Sequence, residues 1–530
     1  MRLERIHEYV MTTVVLVVGL FLAMLCGKLS GAGQLNLLAL GLIGIVFLVL
    51  CLTFRAKIWV AIPLTWHLVG QIPILPIPAA ARDLVVISLS GMYIAFIALR
   101  LVRIKPVFDA LDFWLLINLL YIGSTFIRNP IGSLAMGSER VGGRSYMTVF
   151  TAVLAYWVMS RAWCRAKGAK LLPGVTTLMI CVDGGIQILC QKYLWLSAVL
   201  GQVYSSFAVD TTLRSADLTG RFDEHDARQV ALVGPGLAIE QGLMAYFRPL
   251  SLLNPFLIWR FIVAIGGIVM IFYSGFRSVF MQVMLGFLLS SYIRRGWFDV
   301  LRICGIIVPV LLILGLMQGT IVDLPMPAQR ALSFLPGNWS AVAKQDAEGS
   351  TRWRVEMWID ALTTEKYIDN KWFGDGFGTS VDRMQRVMLI QSLPSLTTEE
   401  AQESAAIVGN FHSGPVSGIR CVGYVGLLLF YCLLFQSAWH AMNLMRQSKE
   451  TPFQALALFI GIPVVVRPFF FTLIFGAYTD DLPNVIFAIG LMKMLSNSIA
   501  ISQQSTMVAK PKPEVRRLAL APVGRIESHV

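Results

Sequence analysis

The chain has 530 residues, of which 56% are hydrophobic and only 14% charged, with 44 Lys+Arg against 31 Asp+Glu for a formal net charge of +13. An average soluble protein is roughly 45–50% apolar and about 25% charged, so disorder, collagen-like repeats and a secreted disulfide scaffold are excluded. The apolar residues come in blocks of about 20, the length that crosses a bilayer, and much of the basic excess sits in short loops beside them, where it sets topology rather than binding nucleic acid.

The first block, 10–26, follows Met1-Arg2-Leu3-Glu4-Arg5 and reads as an uncleaved first helix rather than a signal peptide. Further spans are predicted near 35–53, 58–77, 84–102, 107–124, 146–163, 171–190, 228–247, 253–273, 278–293, 300–318, 415–437, 452–474 and 482–498. The pattern predicts an all-α polytopic membrane protein with about fourteen transmembrane helices (12–14). The weakest are 58–77, interrupted by Pro63, Pro73 and Pro76, and 228–247, which contains Glu240. Cys26, Cys51, Cys164, Cys181, Cys190, Cys304, Cys421 and Cys432 lie in or beside these blocks without a CxxC pair, so neither a disulfide framework nor a zinc site is read.

With the N-terminus inside, the cytoplasmic connections hold Arg55/Lys57, Arg100/Arg103/Lys105, Arg161/Arg165/Lys167/Lys170, Arg248, Arg294/Arg295/Arg302 and Arg446/Lys449. That is the positive-inside pattern. The exception is 125–145, with Arg128, Arg140 and Arg144 outside. The division expected is a membrane part over 1–318 with an outer loop at 191–227, a large outer loop over 319–414, three last spans over 415–498, and a basic, disordered cytoplasmic tail over 499–530.

Phosphate-loop, HExxH, GxSxG and Rossmann signatures are absent, which leaves ATP-driven and zinc-hydrolytic roles without support. The strongest patch is Asn410-Phe411-His412-Ser413 before the span at 415–437, with Gly423 and Gly426 inside it. It resembles the His-(Asn/Ser/Gln)-x9-Gly-x-x-(Gly/Thr/Tyr) motif of the O-antigen ligase and O-antigen polymerase superfamily, matching at His412, Ser413, Gly423 and Gly426. Arg354 and Trp358, followed by Gly374, Gly376 and Gly378, are similar to the family's Arg-x3-Trp…Gly-x-Gly stretch. Ser274-Gly275-Phe276-Arg277 looks like its outward Ser-Arg corner. The approach through Arg214 and Arg221 departs from the family, because Asp223-Glu224-His225-Asp226 stands where Pro-Asn is often seen, so either arginine is a candidate.

The resemblance covers roughly 210–498 and implies a type-C glycosyltransferase-like enzyme without cofactor or metal. Its donor would be a saccharide on undecaprenyl diphosphate at the periplasmic face of a Gram-negative inner membrane. Its acceptor would be a lipid A core or another glycan, or a protein, with membrane lipids around it. Fourteen spans exceed the twelve common among ligases and lean towards O-antigen or exopolysaccharide polymerisation over lipopolysaccharide ligation.

Physical chemistry fits those residue types. Breaking an anomeric bond to a diphosphate builds charge on the leaving oxygens, which arginines can clamp with paired, charge-assisted hydrogen bonds. A neutral histidine can take the acceptor's proton. The catalytic candidates are His412 and Arg277. The substrate-binding candidates are Arg221, Arg214, Arg354, Arg467 and Ser413. Each has a plainer reading: His412 as an interfacial residue, Arg277 as a snorkelling helix end, Arg354 and Trp358 as packing, and Asp223 to Asp226 as a solvated loop. Arg467, at membrane depth, has three readings: pairing with Asp183, approaching the diphosphate, or snorkelling outward beside Asp480 and Asp481. The competing function is a polysaccharide or lipid-glycan transporter or flippase, which predicts more mid-span charge and a paired repeat.

Overall fold

The computed structural model describes residues 41, 49, 53, 55–73, 79–100, 102, 106–131, 140–208, 229–392 and 398–509. It is almost entirely helical. The long helices are α1 (Ala81–Ala98), α2 (Ala110–Arg128), α3 (Arg144–Met159), α4 (Ala166–Lys192), α5 (Val233–Tyr246), α6 (Ile258–Ser274), α7 (Arg277–Arg295) and α8 (Trp297–Met317). After these come α9 (Ala341–Thr363), α10 (Val381–Gln391), α11 (Thr398–Ile407), α12 (Gly414–Gln447), α13 (Gln454–Leu473) and α14 (Tyr478–Ala509). Among the described residues α1, α2, α4, α8, α12, α13 and α14 are long and apolar enough to cross a membrane, while Val230–Tyr246 and Ile258–Ser274 are apolar but shorter. A multi-pass membrane protein follows from these alone.

Eleven of the predicted spans fall on helices α1–α8 and α12–α14. The spans at 10–26 and 35–53 lie outside the described residues but for isolated positions. The span at 58–77 is corrected. Among its described residues only Arg55–Val60 and Ala61–Thr65 are helical, and the chain then turns so that Gln71 bridges Ala80. Pro63 and Pro73 cannot donate backbone hydrogen bonds, and this stretch instead packs onto the connection after α4, where Gln71 N donates to Ser205 Oγ and Ser205 N to Gln71 O. At the other end of the chain, α14 runs on through Ala509, into the stretch expected to be tail; 510–530 lie outside the described residues.

Successive helices alternate in direction. One end of the bundle, the loop end, therefore carries the C-termini of α2, α6, α8 and α13, the N-termini of α3, α7, α12 and α14, and the whole segment between α8 and α12. Its packing is tight where residues are small. A Cβ on Gly490 of α14 would lie 2.9 Å from Tyr156 Cα of α3. A Cβ on Gly267 of α6 would lie 2.3 Å from Glu240 Oε1, and this is how α5 fits a buried carboxyl side chain into a helix contact. Phe430, Phe471 and Tyr478 join α12, α13 and α14 edge to face, with centroids 5.2 and 4.9 Å from Phe430.

Towards the far end, Lys493 of α14 reaches Asp109 at 2.7 Å and Asp112 at 2.6 Å, and Tyr156 donates to the other oxygen of Asp112. This buried network explains the acidic pair near the start of α2: Asp109 caps the helix by accepting from Leu111 N and Asp112 N.

Candidate active site

The site is built around a break in α12. Gly423 has φ 71° and ψ −179°, a conformation open to glycine alone, in the middle of an otherwise helical run. In an unbroken helix Tyr424 N would donate to Arg420 O, and Val425 N to Cys421 O. Here those four groups turn to the Gly374 loop. Asp375 N donates to Arg420 O at 2.7 Å and Gly376 N to Cys421 O at 3.0 Å, while Tyr424 N and Val425 N donate to Lys371 O and Trp372 O at 2.9 and 3.3 Å. Two helical bonds are exchanged for four between the loop and the helix, and all four displaced groups keep a partner.

The glycines of both motifs are the condition for this docking. A Cβ on Gly374 (φ 79°) would lie 2.5 Å from Gly423 N, and one on Gly423 would lie 2.2 Å from Trp372 O. Gly376 (φ 85°) faces Tyr146, whose hydroxyl would lie 3.2 Å from a Cβ there. The Gly-x-Gly stretch is thus a backbone socket for a broken helix, not a phosphate cradle.

Arginines hold the socket. Arg128, at the end of α2, donates to Phe373 O at 3.2 Å, Arg140 donates to Asp375 O, and the strand Arg140–Val141 (β1) pairs antiparallel with Thr379–Ser380 (β2). Arg144 donates to Val69 O at 2.8 Å. The three arginines that break the charge rule therefore have tertiary duties at the loop end. Arg420, 4% exposed, donates to Thr379 Oγ1 at 2.9 Å and packs under Gly409. Sequence reasoning passed over Arg420, although an arginine a few residues inside a predicted span is a signal in itself, and it noted Arg140 only as an exception to the charge rule.

His412 stands where this segment enters α12. Its φ is 51°, the left-handed region, which non-glycine residues enter rarely and histidine more readily than most. Its imidazole lies between Trp353 of α9 and Phe475 after α13, with centroids 5.9 and 5.7 Å away. Trp358, also on α9, donates its indole N–H to Phe411 O at 2.8 Å, and Phe411 is fully buried. The predicted Trp358 thereby ties α9 to the residue before His412, which is a positioning role. Arg354, on the same helix, is half-buried. Ser413 is the N-terminal flanking residue of α12, with extended backbone and no capping bond from its hydroxyl; its carbonyl accepts from Ser417 N at 3.0 Å.

Arg277 opens α7 directly after the corner made by Ser274 and left-handed Gly275 (φ 72°), at the loop end, and is half-buried. Ser274 Oγ donates to Ile271 O at 2.6 Å and fixes that corner. Arg214 and Arg221, with Asp223 to Asp226, lie outside the described residues.

The pairing of Arg467 is settled against Asp183. Arg467 forms its ion pair with Asp481, whose side chain is fully buried, and Asp480 also interacts with it electrostatically; Asp183 instead accepts from Gln187 at 2.9 Å. Removing one member of a buried pair costs about 3–5 kcal/mol because the other charge is left unpaired. Arg467→Gln and Asp481→Asn should each lower the melting temperature steeply, and the double variant should recover most of the loss in a thermal-shift cycle. Additive losses would mean that the contact contributes little.

Residues 262–431 match the O-Antigen ligase family model. The resemblance to the O-antigen ligase and polymerase superfamily holds over this stretch, which runs from α6 through the Gly374 socket into α12 and contains Arg277, Arg354, His412, Ser413, Gly423 and Gly426. The family points to a glycosyltransferase-like ligase or polymerase with a lipid-linked glycan and an acceptor as its partners. No curated protein matches the chain significantly.

Proposed function

We propose that this chain is a membrane glycosyltransferase that moves a saccharide from undecaprenyl diphosphate to an acceptor glycan or lipid A core at the periplasmic face of the inner membrane, as a ligase or a polymerase, without metal or cofactor. The observation that carries the reading is the backbone machinery around His412. A broken helix, a glycine socket and an indole clamp converge to hold one imidazole at the mouth of α12, and they lie within the O-antigen ligase stretch.

In this reading His412 takes the proton of the acceptor hydroxyl as its oxygen bonds to the anomeric carbon. The bond from that carbon to the diphosphate breaks, and the lipid diphosphate leaves with the electron pair. Arg277, with Arg214 or Arg221, binds the departing oxygens, while Arg354 and Ser413 orient the sugar or the segment that covers it. The ion pair with Asp481 gives Arg467 a structural duty beside any contact with substrate.

The orientation is supported by charge. By the alternation of the helices, Arg161, Arg165, Lys167, Lys170, Arg248, Arg294, Arg295, Arg446 and Lys449 gather at the end opposite His412, as cytoplasmic connections do.

A guanidinium that grips a diphosphate with two parallel hydrogen bonds is not replaced by an ammonium. Arg277→Lys should therefore lose about 10- to 100-fold in transfer from a synthetic lipid-diphosphate saccharide in nanodiscs, the worth of one charge-assisted hydrogen bond. Full activity in that variant would overturn the clamp.

A further inference from the structure

At the end of the bundle opposite His412, the α5–α6 connection and the α7–α8 turn enclose a pocket of about 480 Å3 whose lining includes Arg248, Ser251, Arg295, Phe298, Asp299 and Arg302. Its charge is unbalanced. Asp299 is the one carboxylate in the lining and stands 3.9 Å from Arg302, while Arg248 and Arg295 have no ion pair among the described residues. Behind the pocket, Arg294 already spends its guanidinium on Met244 O and Ala245 O, at 2.9 and 2.8 Å, and Arg248 repels it. Three guanidiniums around one carboxylate form a site for an anion, and arginine forks suit phosphate oxygens.

The surroundings identify the anion's other half. Phe298 in the lining is 81% exposed; Phe256, two residues after Asn254 of the lining, is 90% exposed, and Trp259 and Trp297, close by in the chain, are exposed as well. Aromatic rings at helix ends mark the level of lipid headgroups. From that rim α8 leads away as the least buried of the long apolar helices, with 17% of its apolar window covered by protein. A free phosphate would use the arginines but leave the exposed apolar wall without a role. A phosphodiester headgroup with acyl chains uses both.

We propose that this pocket binds the headgroup of an anionic phospholipid, with its phosphate between Arg248, Arg295 and Arg302 and its acyl chains along α8. The site is separate from the transfer chemistry and lies at the opposite end of the bundle.

The full-length protein is delipidated, exposed to mixed micelles of phosphatidylglycerol or phosphatidylcholine, and examined by native mass spectrometry, with inorganic phosphate as competitor. Each arginine near a lipid surface contributes about fivefold, so the triple variant Arg248→Gln/Arg295→Gln/Arg302→Gln should bind phosphatidylglycerol about 100-fold more weakly, while Arg446→Gln, elsewhere on the same end, changes nothing. Arg302→Gln alone, at a side chain 69% exposed, cannot fail to fold for lack of packing and should show about a fivefold loss. Unchanged phosphatidylglycerol binding in the triple variant or in Arg302→Gln overturns the site. Equal retention of phosphatidylcholine, or displacement of phosphatidylglycerol by equimolar inorganic phosphate, overturns the lipid assignment.

Discussion

Replacing His412 with Ala is expected to lower saccharide transfer by about 100-fold or more, the lower end of what a positioned general base contributes. The loss should appear in turnover rather than in folding. His412 is half-buried, and the backbone that carries it is fixed independently, by the Trp358 bond to Phe411 O and by the socket at Gly423. Two further variants separate chemistry from packing. His412→Asn keeps a residue that tolerates the left-handed φ of 51° and should melt within a few degrees of wild type while remaining inactive. His412→Phe keeps an aromatic ring between Trp353 and Phe475 but has no nitrogen. If the imidazole only packs, the Phe variant stays active; if it moves a proton, the Phe variant is as inactive as Ala.

The second large effect is structural. Gly423→Ala should destabilise the protein by about 3 kcal/mol or more and abolish transfer. The left-handed backbone costs a side chain about 1–3 kcal/mol. The new Cβ would also lie 2.2 Å from Trp372 O and 2.4 Å from Phe373 N, backbone atoms that cannot swing aside. The cheapest escape is to close the helix, returning Tyr424 N to Arg420 O and expelling the loop, which forfeits bonds of about 1 kcal/mol each. Limited proteolysis should then cut between α9 and α10, where wild type resists. Gly426→Ala is the comparison. Its Cβ would lie 2.4 Å from Val422 Cβ and 2.5 Å from the Tyr121 ring, but its backbone is ordinary helix, so the loss should lack the conformational part and be smaller. Equal stability of Gly423→Ala and wild type would contradict the socket.

Much of this was legible in the amino-acid order because hydropathy and helix length are coupled by the bilayer. The eleven predicted spans that fall on helices are long, mostly apolar runs, even where single charges such as Asp183, Glu240, Arg260 and Arg467 interrupt them. The failure at 58–77 came where prolines remove donors and a turn back to Ala80 costs nothing apparent in hydropathy. The motif at His412, Ser413, Gly423 and Gly426 was visible, yet its reason was not. Nothing local says that Gly423 breaks a helix so that Gly374, almost fifty residues earlier in the chain, can dock there.

Long-range partners were the blind spot elsewhere too. Arg467 had three readings in the sequence, and only folding of α13 against the start of α14 makes Asp481 its ion-pair partner. Arg140 looked like a misplaced charge in an outer loop until β1 paired with β2. Arg420 is buried among carbonyls contributed by a segment that local reading treats as a separate loop.

The most direct test of the account is mass spectrometry of lipid-linked glycans from cells lacking this chain, rescued with wild type or with His412→Ala at matched membrane levels. Wild type should clear the accumulated undecaprenyl-diphosphate glycan, and His412→Ala should leave it in place. Single repeat units left behind would mark a polymerase, and long glycans a ligase. Full rescue by His412→Ala, or no lipid-linked glycan accumulating at all, would contradict the transfer chemistry assigned to this site and return the chain to the transporter reading.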